Sequence, residues 1–127
     1  MPSRWVTVTN KTQGVTLGKQ VRVANSFWTR AKGLLGRRSL APGEGLLLYP
    51  CRGIHSYGMG FEFDAIYLNR RYEVIHIIER MRPNQRGPIL KGAYAVLELP
   101  SGSVAATKTM IGDRLVIGQG TNLSAPE

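Results

Sequence analysis

A chain of 127 residues with 43% hydrophobic and 20% charged residues is typical of a soluble globular protein that buries its own core. The single cysteine excludes an internal disulfide, and no apolar run approaches the roughly 20 residues of a transmembrane helix. We therefore expect one domain over residues 1–127, with a core over about 4–117 and a frayed tail over 118–127.

The net charge of +9 is unevenly distributed along the sequence. Residues 1–43 contain eight basic residues and no acidic residue, whereas the remainder contains nine basic and eight acidic residues. Such a field attracts polyanions, so binding of nucleic acid or another polyanion through this basic N-terminal third is one functional hypothesis, although not the favoured one.

The first residues contain no apolar run of the length found in signal peptides. We therefore expect a cytoplasmic location. An extracytoplasmic location is the alternative if an N-terminal signal has been removed.

The predicted elements follow from apolar alternation, helical spacing and turn residues. In chain order they are strands over 5–9 and 15–23, a helix over 26–35, strands over 45–49, 61–68, 72–78 and 93–99, a helical turn near Val104 capped by Ser101, and a strand over 115–117. Residues 80–92 form the longest irregular segment. Many short strands with one clear helix predict a mostly β (α+β) fold, a compact small barrel or curled antiparallel sheet with one or two short helices.

The segment over residues 50–68 concentrates the chemically capable side chains. A glycine-rich loop over 51–60 carries Cys51, His55, Tyr57 and Met59, and it leads directly into the strand that contains Asp64. We expect a polar site where this loop meets the Asp64 strand.

Asp64 and Glu98 are carboxylates within apolar strands, which makes their burial costly unless hydrogen bonds or a cation compensate. On its strand Asp64 shares a face with Ile66, while Phe63 and Tyr67 lie on the other face. Backbone N–H groups of a loop, or an arginine, are the expected partners of Asp64. For Glu98 we expect a cation from Arg30 on the predicted helix.

Two chemical alternatives involve the same residues. A small enzyme would use His55 with Asp64 or Cys51, since an imidazole within hydrogen-bond reach activates a thiol. His55, His76, Cys51 and Asp64 are also acceptable zinc ligands, but their spacing matches no compact ligand motif, so we predict no metal and no cofactor.

The sequence resembles the family of domain of unknown function 192 over nearly its whole length. The matching segments are residues 30–37 with Leu40, then 45–48, 54–59, 63–68, 96–102 and 111–113. The resemblance implies a small β-rich fold without an established activity, cofactor or substrate. It also implies that many relatives are exported or membrane-attached through an N-terminal signal.

The favoured functional hypothesis is a non-catalytic binding module for a small molecule or a protein. Its groove is expected at the 51–60 loop and the Asp64 strand, near Arg30 and Glu98. The candidate binding residues are Cys51, His55, Tyr57, Met59, Asp64, Arg30 and Glu98.

Overall fold

The structure, a computed structural model, describes residues 4–24 and 39–119. The predicted helix over 26–35, Arg30 within it, and residues 120–127 of the predicted tail lie outside these ranges. The described residues form seven strands and one short helix: β1 (Arg4–Asn10), β2 (Val15–Ala24), β3 (Glu44–Leu48), β4 (Phe63–Leu68), β5 (Val74–Met81), β6 (Ala95–Pro100), α1 (Ser103–Thr107) and β7 (Leu115–Gln119).

The strands form one sheet in the order β5-β4-β6-β3-β2-β1-β7. All neighbours are antiparallel except β2 and β3, which run parallel from the pair Gln20 and Glu44 to the pair Ala24 and Leu48. The sheet curls into a half-barrel. Its two edge strands approach each other at one end, where Glu73 and Arg114 form an isolated bridge. The predicted mostly β, curled-sheet architecture is confirmed.

Both faces of the central strands are buried, because each face packs against its own group of apolar side chains. One face of β4 contributes Ile66 and Leu68 to a cluster that we call the first core. The other face contributes Phe63, Ala65 and Tyr67 to the second core. This alternation is the one expected for β4, and burial on two sides explains why residues 45–48 of β3 form a continuous apolar run.

The second core is covered by two loops that pair with each other. The first loop spans residues 51–60 and the second spans residues 82–92. Ser56 N–H donates to the Gln85 carbonyl at 2.8 Å, Gly87 N–H to Ile54 at 2.9 Å, and Leu90 N–H to Arg52 at 2.9 Å. The segment predicted as irregular therefore begins two residues later than expected, after β5, and its backbone is hydrogen-bonded to the first loop. We call these two segments the paired loops.

Helix α1 has a different N-terminus from the predicted one. Gly102, not Ser101, is the N-cap residue, so the N-cap residue itself supplies no side-chain hydrogen bond to the helix. The φ of Gly102 is 93°, a left-handed conformation that a serine adopts only with strain. The capping acceptor comes instead from β4, because the Asp64 carboxylate accepts from the N–H groups of Gly102 and Val104.

Candidate functional site

The carboxylate of Asp64 is fully buried and takes all its described hydrogen bonds from backbone N–H groups. Oδ1 accepts from Arg80 at 2.9 Å and from Gly102 at 3.2 Å, and Oδ2 accepts from Val104 at 2.8 Å. Arg80 has a φ of 54° at an irregularity of β5, so its N–H turns toward Asp64. Asp64 therefore joins β4, β5 and α1 on the first-core side of the sheet.

Glu98 lies on the opposite face of the sheet from Asp64. Its neighbours on the adjacent strands are Leu46 and Ala65, which both belong to the second core. Glu98 is 5% exposed, and burial raises its pKa from an ordinary 4.5 to about 8. The carboxyl group is therefore mostly protonated at neutral pH. Its predicted partner Arg30 lies outside the described residues, so their pairing stays a hypothesis.

Cys51 sits at the beginning of the first loop, where that loop leaves β3. Its N–H donates to the Tyr94 carbonyl at 2.8 Å, and its Sγ donates to the Gly53 carbonyl at 3.1 Å. The side chain is half-buried and packs against the second core. Tyr67, in the same core, donates its hydroxyl to the Pro88 carbonyl at 2.8 Å. Burial raises the pKa of Tyr67, as do the nearby Cys51 and Glu98, against the lowering effect of the Ile54 backbone.

His55 and Tyr57 are exposed on the outer side of the first loop. Their rings stack with centroids 4.7 Å apart and an angle of 25° between the planes. Tyr57 N–H donates to His55 Nδ1 at 3.3 Å. The residue between them, Ser56, is buried, and its Oγ accepts from Gln85 N–H at 2.8 Å. Met59 is also buried, in the second core.

The predicted site residues therefore divide into three places. Cys51, Met59 and Glu98 belong to the second-core side, and His55 stacks with Tyr57 at the surface. Asp64 is on the first-core side, where backbone donors occupy both its oxygens. The hydrogen bonds of Asp64 thus give no support to its pairing with His55. Within the described ranges, no group of three or more His, Cys, Asp or Glu side chains is arranged to hold a metal ion.

A cleft of about 540 Å³ opens beside Cys51, at the end of the sheet where the first loop begins. It lies between this loop, the β4–β5 turn and the segment that leads into β6. Among the residues that the structure describes, its lining combines four basic residues, one acidic residue and an aromatic ring. The lining residues are Pro50, Cys51, Arg52, Asn69, Arg70, Arg71, Glu73, Lys91, Gly92, Ala93 and Tyr94.

Several contacts organise the side chains of this cleft. The Arg70 guanidinium lies over the Tyr94 ring, 4.7 Å from its centroid. Asn69 Nδ2 donates to Glu73 Oε1 at 2.9 Å, while Asn69 Oδ1 accepts from the N–H groups of Arg71 and Glu73 at 2.9 Å. Asn69 thus fixes the β4–β5 turn and engages the carboxylate of Glu73. The cleft presents an excess of positive charge to solvent.

The surface of residues 39–119 is more basic than the sequence count suggests. All nine basic residues of this range are exposed. Of its seven acidic residues, Asp64, Glu98 and Asp113 are buried. Asp113 accepts from Asn10 Nδ2 at 2.9 Å and from Gln13 Nε2 at 3.1 Å. Burial by itself raises the pKa of Asp113, but hydrogen bonds from Asn10, Met110 and Gln13 lower it further than burial raises it.

The sequence did not single out Arg52, Arg70, Arg71 and Lys91. Arg70 and Arg71 are in a hairpin turn, where solvated charges are common. Arg52 and Lys91 are far apart in sequence and come together because Leu90 N–H donates to the Arg52 carbonyl. The sequence signal that could have indicated a basic cleft was the low number of acidic residues in segments 50–60 and 82–92.

In the part of the chain that the structure describes, no helix is both long and apolar enough to span a membrane. The chain matches no curated protein. It is similar to the crystal structure of a protein of unknown function from Novosphingobium aromaticivorans DSM 12444, with 25% identity and a TM-score of 0.75, over 90% of this chain and 84% of that one.

A second similar crystal structure is that of a "putative transcription regulator" from Sinorhizobium meliloti 1021. It is 23% identical with a TM-score of 0.73, over 91% of this chain and 94% of that one. At this identity the likeness shows the fold alone. The model of the DUF192 family, described as "Uncharacterized ACR", matches residues 6–117. The match spans most of the sequence and confirms the resemblance seen in its motifs: the chain belongs to the family of domain of unknown function 192.

Proposed function

We propose that this protein is a non-catalytic binding module, and that its ligand is a small anionic molecule held in the cleft beside Cys51. This places the site at the start of the 51–60 loop but beside the β4–β5 turn rather than beside Asp64. Among the described residues expected to bind, only Cys51 lines this cleft. The side chain of Asp64 is not part of it, because that carboxylate caps α1 on the first-core side.

The observation that carries the proposal is the gathering of four cationic side chains around one cleft, where Glu73 is the only carboxylate among the described lining residues and is engaged by Asn69. The volume of about 540 Å³ lies within the range of small-molecule sites. Stacking on Tyr94 restrains Arg70, so less conformational freedom is lost when its guanidinium binds an oxyanion. A planar guanidinium also matches the two oxygens of a phosphate or carboxylate.

Titration of the ¹⁵N-labelled protein with inorganic phosphate and with uridine 5′-monophosphate tests the proposal. We expect amide shifts concentrated at residues 50–53, 69–73 and 91–94, with a dissociation constant for the nucleotide below about 1 mM. Arg71→Glu should weaken binding at least about tenfold, because it replaces an attraction with a repulsion at the cleft.

Lys19→Glu is the matched control, since it makes the same kind of charge change at an exposed lysine. Lys19 and the cleft lie at opposite ends of β3. The neighbour of Lys19, Gln20, pairs with Glu44 at the beginning of the strand, whereas Pro50 and the cleft follow its end. Its effect should stay within about twofold, as expected for a screened distant charge. An equal loss in both variants, or no saturable shift at the cleft, would refute the assignment.

A further inference from the structure

The paired loops continue the positive charge of the cleft along the surface. Arg52 and Lys91 line the cleft, and Arg82 and Arg86 are exposed further along the second loop. Neither segment 51–60 nor segment 82–92 contains an acidic residue. The backbone bonds between the loops, together with the bridge between His55 and Arg86, fix the backbone that carries these cations. Exposed basic residues therefore extend beyond the cleft along the paired loops.

The first of the paired loops also carries an exposed aromatic group. Tyr57 is 44% exposed although it is a large aromatic residue, and its ring is held by stacking on His55. The Arg86 guanidinium lies 6.0 Å from the centroid of the Tyr57 ring. Ser56 anchors the backbone between the two rings through its bonds to the second loop. The rings are therefore presented to solvent on a restrained backbone, which lowers the entropic cost of stacking another planar group on them.

We propose that the cleft and the paired loops together form a binding track for single-stranded nucleic acid. The cleft would bind a nucleotide, and the strand would continue along the loops so that a base stacks at His55 and Tyr57. This inference rests on the proposed function, because it identifies the anionic ligand of the cleft as part of a longer strand.

The dimensions and the chemistry of the track fit such a strand. Tyr57 is five positions after Arg52 in the sequence, so even a fully extended loop keeps their Cα atoms within about 18 Å. Single-stranded nucleic acid combines a phosphate backbone with base faces that are free to stack, and proteins bind it with basic grooves and exposed aromatic rings. In a duplex the base faces are stacked inside the helix, and an acidic peptide does not carry a planar group on every residue. Neither ligand would therefore stack regularly on the rings of His55 and Tyr57.

The test is the binding of fluorescently labelled oligothymidylates of about 4 and 12 nucleotides, measured by anisotropy with the full chain. Uridine 5′-monophosphate, a 12-base-pair duplex and inorganic polyphosphate are the comparison ligands. The 12-mer should bind at least about 100-fold more tightly than the mononucleotide, because additional contacts act within one complex. Three to five phosphate contacts predict a log–log salt slope of about −2 to −3.5.

Two pairs of variants separate the two parts of the track. Tyr57→Ala should weaken binding of the 12-mer about tenfold, whereas Tyr57→Phe, which keeps the ring, should change it less than about twofold. Neither change should affect binding of the mononucleotide in the cleft. Lys91→Glu should weaken binding of both ligands, while Lys19→Glu should affect neither by more than about twofold.

The outcomes distinguish this inference from the proposal on which it rests. If the mononucleotide binds in the cleft but the 12-mer binds no more tightly, the track is refuted and the small-anion site stands. If the duplex or polyphosphate binds as tightly as the 12-mer and Tyr57→Ala has no effect, the track is likewise refuted. If no phosphate-bearing ligand binds, both proposals fail.

Discussion

The replacement Asp64→Asn tests whether a single carboxylate holds β4, β5 and α1 together. The aspartate accepts three backbone N–H groups, from Arg80 and Gly102 at Oδ1 and from Val104 at Oδ2. Asparagine has nearly the same shape but offers one oxygen. Whichever way the amide is turned, its NH₂ group faces at least one of these N–H donors. The variant therefore loses at least one buried hydrogen bond and leaves a donor unsatisfied.

The expected cost follows from these contacts. A hydrogen bond to a charged group contributes roughly 1.5–3 kcal/mol, and neutralising the acceptor weakens the remaining bonds by about half. The sum is about 3–5 kcal/mol of unfolding free energy, a large share of the 5–15 kcal/mol typical of a domain. At roughly 3–5 °C per kcal/mol for a chain of this size, Tm should fall by about 10–25 °C.

Urea denaturation measures the free energy, and native-state hydrogen exchange locates the effect. The amides of Arg80, Gly102 and Val104 should lose protection in Asp64→Asn more than amides of β1 do. Glu62→Gln is the matched control, because it neutralises an exposed carboxylate two residues away and should change stability by less than about 0.5 kcal/mol. A variant within about 1 kcal/mol of the wild type, with these three amides still protected, would contradict the role assigned to Asp64.

Three further variants test other buried positions. Burial raises the pKa of Glu98 from 4.5 to about 8, so the stability of the wild type should fall as pH rises through that interval, by up to about 1.4 kcal/mol per pH unit. Glu98→Gln should remove this slope when unfolding is measured in urea at several pH values. If Glu98 were instead paired with Arg30, the variant would be less stable than the wild type at neutral pH. The lowered pKa of Asp113 contributes stability above the ordinary value of 3.8 that is lost as pH falls through the folded-state pKa. Asp113→Asn should therefore be less stable at pH 7 and lose less stability on acidification, and equal acid profiles would contradict this. In Gly45→Ala the new Cβ would lie 2.9 Å from the Glu98 carbonyl oxygen, so thermal melts should show a loss of about 1–3 kcal/mol of unfolding free energy. The control is Gly60→Ala, which should cost little because a Cβ there would have nothing within 4 Å. Similar losses in both variants would count against steric crowding at Gly45.

Much of the fold was predictable because side chains alternate along a strand. The sequence around Phe63 and Ile66 places apolar residues on both faces, and the structure has a core on each side of β4. Backbone N–H partners for Asp64 were predictable as a type, since a buried carboxylate needs them. Their identity was not, because they come from residues 16, 38 and 40 positions away in the chain. Strand order depends on such long-range pairing.

The cleft illustrates why the candidate site was harder to predict. The basic residues that line it come from three separate segments, and each alone is an ordinary surface charge. Only the tertiary pairing of the loops brings Arg52 beside Lys91. The charge count was also incomplete, because burial of Asp64 and Asp113 removes their carboxylates from the surface while all basic residues of 39–119 stay exposed. Counting charges along a sequence cannot make that distinction.

The position of β1 between β2 and β7 has a consequence for biosynthesis. Asn10 pairs with Val15 on one side and with Leu115 on the other. A ribosome that adds about 5–20 residues per second needs roughly 5–20 s to synthesise the chain between these two partners of β1. During that interval the nascent N-terminal hairpin has an unpaired edge, and a polypeptide whose translation stops before β7 keeps it. We therefore expect chains that terminate before β7 to aggregate or to recruit chaperones, whereas in a chain that includes β7 this strand covers the edge of β1.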